Sequence, residues 1–204
     1  FAVDRVFEAE PRGIVQKKVT QKLSVATPLF QFGFKEQAAQ TRKTAREVAA
    51  MEVLLELLAS DASVLFQELQ RENLINESSF QYEFFEGPGY AAVIFAGESK
   101  EPDRVAELIC KEIKRMRQEG ILKEDFEIAQ KAVYGRNIAD LNSAESIANS
   151  MIAMTFAGRE LFAYIDALAE VTLEEVTNCL QTYMQEEYAA LSVVEPITVE
   201  EATV

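Results

Sequence analysis

"LFQELQRENLINESSFQYEFFEGPGYAAVIFAGE", Leu65–Glu98, changes its apolar period partway along. Leu65, Phe66 and Leu69 recur at helical spacing. Beyond the serines the pattern shifts to two strand-like runs, SSFQYEFFE and YAAVIFAGE, joined by the hairpin signal GPG at Gly87–Gly89. A helix followed by two adjacent strands argues for a largely antiparallel sheet with helices packed on it. Between the two patterns lie nine residues, QRENLINES, in which only Leu74 and Ile75 are apolar. This junction is either a working site or a site without its working residues.

Working outward, the same alternation of pairs continues. Upstream, IVQKKVTQKL (Ile14–Leu23) is mostly polar, as an exposed edge strand is. ATPLFQFGFKE (Ala26–Glu36) sets Phe30, Phe32 and Phe34 on one face at period two. A helix over Thr41–Ala59 carries Val48, Met51, Leu55 and Leu58 at spacings of three and four, with Leu54 widening the stripe. Ser63 is placed to cap a second helix, Val64–Glu72. Downstream of the hairpin, Pro102 opens a helix and Gly120 closes it, with Val105, Leu108, Ile109, Ile113 and Met116 inward. Helices follow at Lys123–Leu141, Ala144–Phe156 and about Glu160–Ala169. Thr172 and Glu175 make a capping box for a helix over Leu173–Gln185. A last strand, YAALSVVEP, precedes the tail ITVEEATV. The expected order is β-β-α-α-β-β-α-α-α-α-α-β: one two-layer α+β domain over residues 1–204.

Composition narrows the function. The chain has 204 residues and a net charge of −14, so its surface repels phosphate backbones and nucleic acid is an unsuitable partner. The charge serves solubility, or steers basic peptides. No apolar run reaches the roughly 18 residues of a membrane span, and no signal segment is visible, so the expected location is cytoplasmic. There is no histidine, which removes the commonest general base and the commonest zinc ligand. Cys110 and Cys179 read as small buried hydrophobes on helix faces. Without histidine the common nucleophilic triads are absent, and no phosphate-binding glycine loop is present. The acidic positions Glu83, Glu86 and Glu98 read as solvated surface.

ATPLFQFGFKE, followed by AREVAAMEVLLELLASDASVLFQELQRENLI, resembles the pitrilysin/insulinase family of zinc peptidases (inverzincins). The later LAEVTLEEVTNCLQTYM…YAALSVVEP is similar to that family's closing helix and strand. The resemblance implies paired α/β domains that close around a peptide-holding chamber. It also implies a zinc site in the first half, built on H-x-x-E-H. A chain without histidine then corresponds to the C-terminal, non-catalytic half, cut from a longer chain that begins before Phe1. The chain itself holds no cofactor, and zinc belongs to a partner catalytic domain, where it activates the attacking water.

In that family an Arg…Tyr pair near the helix-to-strand junction, in a pattern close to L-R-E-x-G-L-x-Y, holds the substrate and polarises its carbonyl. With Leu69 and Leu74 in register, Gln70 falls at the Arg position and Asn76 at the Tyr position. Shifting by one puts Arg71 at the Arg position, but Glu77 or Ser78 then replaces Tyr. Neither frame restores the pair. Gln70, Asn76 and Arg71 are therefore the candidate substrate contacts. They read alternatively as a solvated helix end and turn. The partners implied are the zinc-bearing half, a homologous subunit in a heterodimer, and a peptide. The alternative function is a catalytically silent interaction or assembly subunit with the same fold.

Overall fold

The structure is a computed structural model that describes residues 8, 10–37 and 43–197. Its elements are β1 (Lys18–Leu23), β2 (Leu29–Lys35), α1 (Ala45–Ala59), α2 (Val64–Arg71), β3 (Gln81–Gly87), β4 (Tyr90–Glu98), α3 (Pro102–Glu119), α4 (Lys123–Asp140), α5 (Ala144–Phe156), α6 (Leu161–Glu170), α7 (Leu173–Thr182) and β5 (Ala189–Pro196). A single 3₁₀ turn, Glu186–Tyr188, precedes β5. The expected order and the α+β class are both borne out. The strands form one mixed sheet in the order β1-β5-β2-β4-β3. Only the β1–β5 pair is parallel; the others are antiparallel.

One face of this sheet carries the core. Phe30, Phe32 and Phe34 of β2, Val93 and Phe95 of β4, and Leu191 and Val193 of β5 are all buried there. α1 and α3 lie on that face, and α4, α6 and α7 pack on α1 from outside. This second helical contact explains why α1 is buried on nearly every side. Ala49, Ala50, Val53 and Leu54 are as inaccessible as the Met51–Leu55–Leu58 stripe. A helix apolar over most of its circumference belongs inside a core.

Local chemistry sets the boundaries. β1 starts at Lys18 rather than Ile14 because its partner limits it, with Lys18 paired to Leu191 near the start of β5. All six β1 residues are exposed, as befits an edge. β3 begins at Gln81 because Ser78 and Ser79 are engaged by the preceding turn. The β3–β4 turn has two residues, Pro88 and Gly89, and Gly89 adopts φ 85°. α1 starts after Thr44, which forms a capping box with Glu47. Position 41, where the sequence places the helix start, lies outside the described residues, as does the tail from 198. α7 stops at Thr182 instead of Gln185. Met184 turns to φ 57°, its N–H donates to the buried Glu36 carboxylate at 2.6 Å, and Arg117 accepts the orphaned helix-end role by donating to the Leu180, Tyr183 and Met184 carbonyls.

The Thr172–Glu175 box is present as expected, and Arg46 pairs with the same Glu175. The Arg46 guanidinium first, then the Thr172 N–H and hydroxyl, hold the Glu175 carboxyl down to about 2. Replacing Thr172 by Ala is expected to cost about 1 kcal/mol. A shift in the urea midpoint without a change in slope reads that loss directly.

Candidate functional site

The junction after α2 is built by a helix C-cap. Asn73 takes the left-handed conformation, φ 53°. The Leu74 N–H then returns to the Leu69 carbonyl at 2.9 Å and the Asn73 N–H to the Gln70 carbonyl at 2.9 Å. These two bonds define a Schellman cap, in which a hydrophobic residue just past the helix packs against its last turn. Leu74 and Leu69 are both buried in the core. Ile75 is partly buried against the same core, so both apolar residues of the junction have a structural explanation, and Asn73 is the turn-forming asparagine.

The candidate contacts sit on the exposed side of this cap. Gln70 Nε2 donates to Glu77 Oε1 at 2.7 Å. Asn76 Nδ2 donates to Glu98 Oε2 at 2.7 Å, and its Oδ1 accepts from the Ser78 N–H and hydroxyl. The Asn76 backbone joins β4 as well, its N–H donating to the Glu98 carbonyl. Arg71 is largely exposed and pairs with Glu68 of α2 and with the adjacent Glu72, at 4.0 and 3.7 Å. The structure therefore places Gln70 and Asn76 in one surface turn, each bonded to a different carboxylate. It does not bring their amides together among the described residues. An amide at either position offers a neutral donor and acceptor, with neither the fork of a guanidinium nor an acidic hydroxyl.

Three charged clusters were not legible as such. Glu56 on α1 is buried, accepts two bonds from Arg136 of α4 at 3.1 and 2.6 Å, and accepts from the Tyr82 hydroxyl at 3.1 Å. Burial, then the Glu56 charge, drives the Tyr82 hydroxyl well above its ordinary range. Arg159, before α6, bonds Glu86 of β3 and the Lys43 carbonyl. Glu36, at the end of β2, is 1% exposed and faces Arg12 and Met184. A signal for the first was present: Glu56 lies between Leu54–Leu55 and Leu57–Leu58, where a side chain has no route to solvent that avoids the apolar face. The acidic positions expected on the surface divide accordingly. Glu83 is exposed, while the Glu86 side chain is 8% exposed.

The donor set does not suit a zinc ion. Among the described residues no group of three His, Cys, Asp or Glu side chains is placed to hold a metal. Cys110 and Cys179 are half-buried rather than fully buried, and burial pushes both thiols up to about 11, away from the thiolate that binds metal. No helix among the described residues is long and apolar enough to cross a membrane.

The sheet's other face is open. A groove of about 540 Å³ runs over it, floored by Gly33, Ala92, Ile94, Ala190 and Tyr188.

Comparison with known proteins follows the same lines. The sequence profile of the "Peptidase M16 inactive domain" matches residues 5–133. A protein of Bacillus subtilis (strain 168) named as an uncharacterized zinc protease, YmfH, is 30% identical over 174 residues, which is 84% of this chain and 40% of that protein. Among solved structures, a protein of Alicyclobacillus acidocaldarius described as M16-like superposes with a TM-score of 0.84 at 27% identity, over 96% of this chain and 47% of that one. The peptidase M16 inactive domain from Pseudomonas fluorescens shares the fold, with a TM-score of 0.73 at 14% identity, over 97% of this chain and 47% of that one. The chain thus spans two fifths to about half the length of these relatives.

Proposed function

The chain belongs to the peptidase M16 inactive-domain family, and from that premise we propose that it is the C-terminal, non-catalytic domain of a zinc metallopeptidase of that family. It forms part of the wall of a peptide-holding chamber, while a separate domain bears the zinc and performs the hydrolysis. The observation that carries this reading is the inactive-domain match over residues 5–133 in a chain with no histidine at all. Chains of roughly twice this length among its relatives leave room for the catalytic domain. Gln70, Asn76 and Arg71 are the positions at which this domain faces the peptide. Because the first two are neutral amides already bonded to Glu77 and Glu98, they contribute positioning and not charge. The proposal extends to a cytoplasmic, heteromeric enzyme in which a homologous subunit completes the site.

The isolated chain is expected to bind no stoichiometric zinc and to cleave no peptide. Native mass spectrometry of the purified chain after zinc addition and desalting measures the first, and a quenched-peptide assay the second. One tightly held zinc per chain overturns the reading. The assembly-subunit alternative is separated by the polypeptide upstream: an H-x-x-E-H motif there supports the peptidase, and its absence supports the silent subunit.

A further inference from the structure

The buried carboxylate of Glu36 stands outside everything described for the junction, yet it has an elaborate environment. It follows β2, and its own N–H donates to the Ala91 carbonyl at 2.8 Å. One carboxylate oxygen accepts from the Met184 N–H at 2.6 Å, and the other accepts from Arg12 Nη2 at 3.2 Å. The Arg12 guanidinium also lies over the Tyr188 ring, 4.0 Å from its centroid. Lys43, ahead of α1, and Arg117 of α3 are the other cations whose fields reach Glu36. Burial pushes the Glu36 carboxyl above the ordinary range, against the Met184 N–H, Arg12 and Lys43. A carboxylate kept under such a desolvation load depends on each partner it has.

Arg12 itself belongs to a segment with few other attachments to the described residues. The Glu10 N–H donates to the Gly89 carbonyl at 2.7 Å, and Glu10 pairs with Lys35 at 2.8 Å. Between these anchors and β1, Pro11 and Gly13 are exposed, a Cβ at Gly13 would meet nothing within 4 Å, and Val15 is 98% exposed. Among the described residues its bonded contacts are concentrated at Glu10 and Arg12. It nevertheless supplies Glu10, Ile14 and Gln16 to the wall of the open-face groove, beside Tyr90 and Tyr188.

We propose that Arg12 and Glu36 form a clasp that straps residues 10–14 across one end of the sheet, and that releasing it opens the groove over Tyr188 without unfolding the domain. Arg12 suits the task because one planar group can stack on Tyr188 and donate to Glu36 together. Glu36 suits it because its other oxygen is tied to the backbone turn at Met184, so the clasp closes on a fixed point. Opening exposes Arg12 and the tyrosine, while the sheet and helices keep their own contacts. Such local openings lie well below the free energy of global unfolding.

Limited trypsinolysis of the 204-residue chain tests this, because cleavage after Arg12 requires its side chain to leave the clasp. Fragments are assigned by mass, and cutting after Arg12 is compared with cutting after Lys17 and Lys123. In Glu36→Gln, cleavage after Arg12 is expected to accelerate about tenfold while the other two sites keep their rates, since cleavage follows the open population. Tyr188→Leu, which leaves the buried carboxylate intact, is expected to change the same site alone and by less. Arg12→Lys retains a trypsin site but neither the stack nor the fork, and cleavage after residue 12 is expected to rise there too. Equal acceleration at all three sites would mean that Glu36 only supports the fold. An unchanged rate after residue 12 in all three variants would show that no clasp exists.

Discussion

Under the proposed function, a zinc-bearing protein that includes this chain, assayed alone, is expected to hydrolyse peptide about 10²–10³-fold more slowly than when mixed with a homologous subunit that retains Arg and Tyr, because one missing oxyanion donor typically costs that much. The expectation follows from what stands at the junction. In the proposed register Gln70 and Asn76 fall where the resemblance implies Arg and Tyr. Their amide nitrogens are committed to Glu77 and Glu98 at 2.7 Å each. An Arg delivers a charged, two-pronged donor and a Tyr a directed hydroxyl, whereas these amides deliver neither. On that proposal an active enzyme draws the pair from a second chain that retains it. The assay compares the full-length protein alone and with homologues from the same source. Full activity of the single protein, unchanged in the Gln70→Ala/Asn76→Ala double variant, would sink the idea. Because Asn76 also anchors the turn to β4, the thermal midpoint of that variant is measured alongside, so that loss of fold is not mistaken for loss of function.

The second large effect concerns stability. Leu69→Ala is expected to destabilise the domain by about 2–5 kcal/mol, as large-to-small core changes do. Leu69 is fully inaccessible, and its carbonyl anchors the Schellman cap that folds Leu74 back onto the core. Leu55→Ala belongs in the same range, since Leu55 lies on α1 at 2% exposure between the sheet and the outer helices. A urea midpoint that hardly moves in either variant would show that these positions do not carry the core. The domain would retain little margin after either loss, given that whole-domain stabilities run to about 5–15 kcal/mol.

Local period and punctuation made most of the fold readable. The three phenylalanines of β2, the GPG turn, the Pro102 start and the Thr172 box each depend on residues within a few positions of one another. Ser63 caps α2 as its place before an apolar run suggests, accepting from the Phe66 N–H at 3.0 Å. What stayed hidden depends on residues far apart. The true end of α7 is decided by Glu36, 148 positions upstream of Met184, and nothing in the local pattern marks it. The burial of Glu56 was implied by its leucine neighbours, but its partner Arg136 lies 80 positions away. At the junction the sequence marked a turn between α2 and β3. It did not reveal that Asn73, rather than Asn76, adopts the left-handed conformation, or that Glu77 and Glu98 already hold the two amides. The acidic partners of a polar turn are chosen by the sheet's register, which only the assembled fold supplies.

The strand order has a consequence for how the polypeptide is made. β2 leaves the ribosome long before β5, yet β5, the last of the described strands, is one of its two neighbours in the sheet: Phe30 pairs with Val193 and Phe32 with Leu191. Among the described residues β1 has no other strand neighbour. Until residues near 190 emerge, β1 has no strand to lie against and one edge of β2 stays bare. Its phenylalanine face can be covered by α1, but the sheet cannot close. At translation rates of about 5–20 residues per second, that interval lasts on the order of ten seconds or more. The β1–β5 and β2–β5 pairings therefore form late and close long loops. For that interval the nascent chain carries an unfinished sheet edge, the feature most exposed to mispairing and to chaperones.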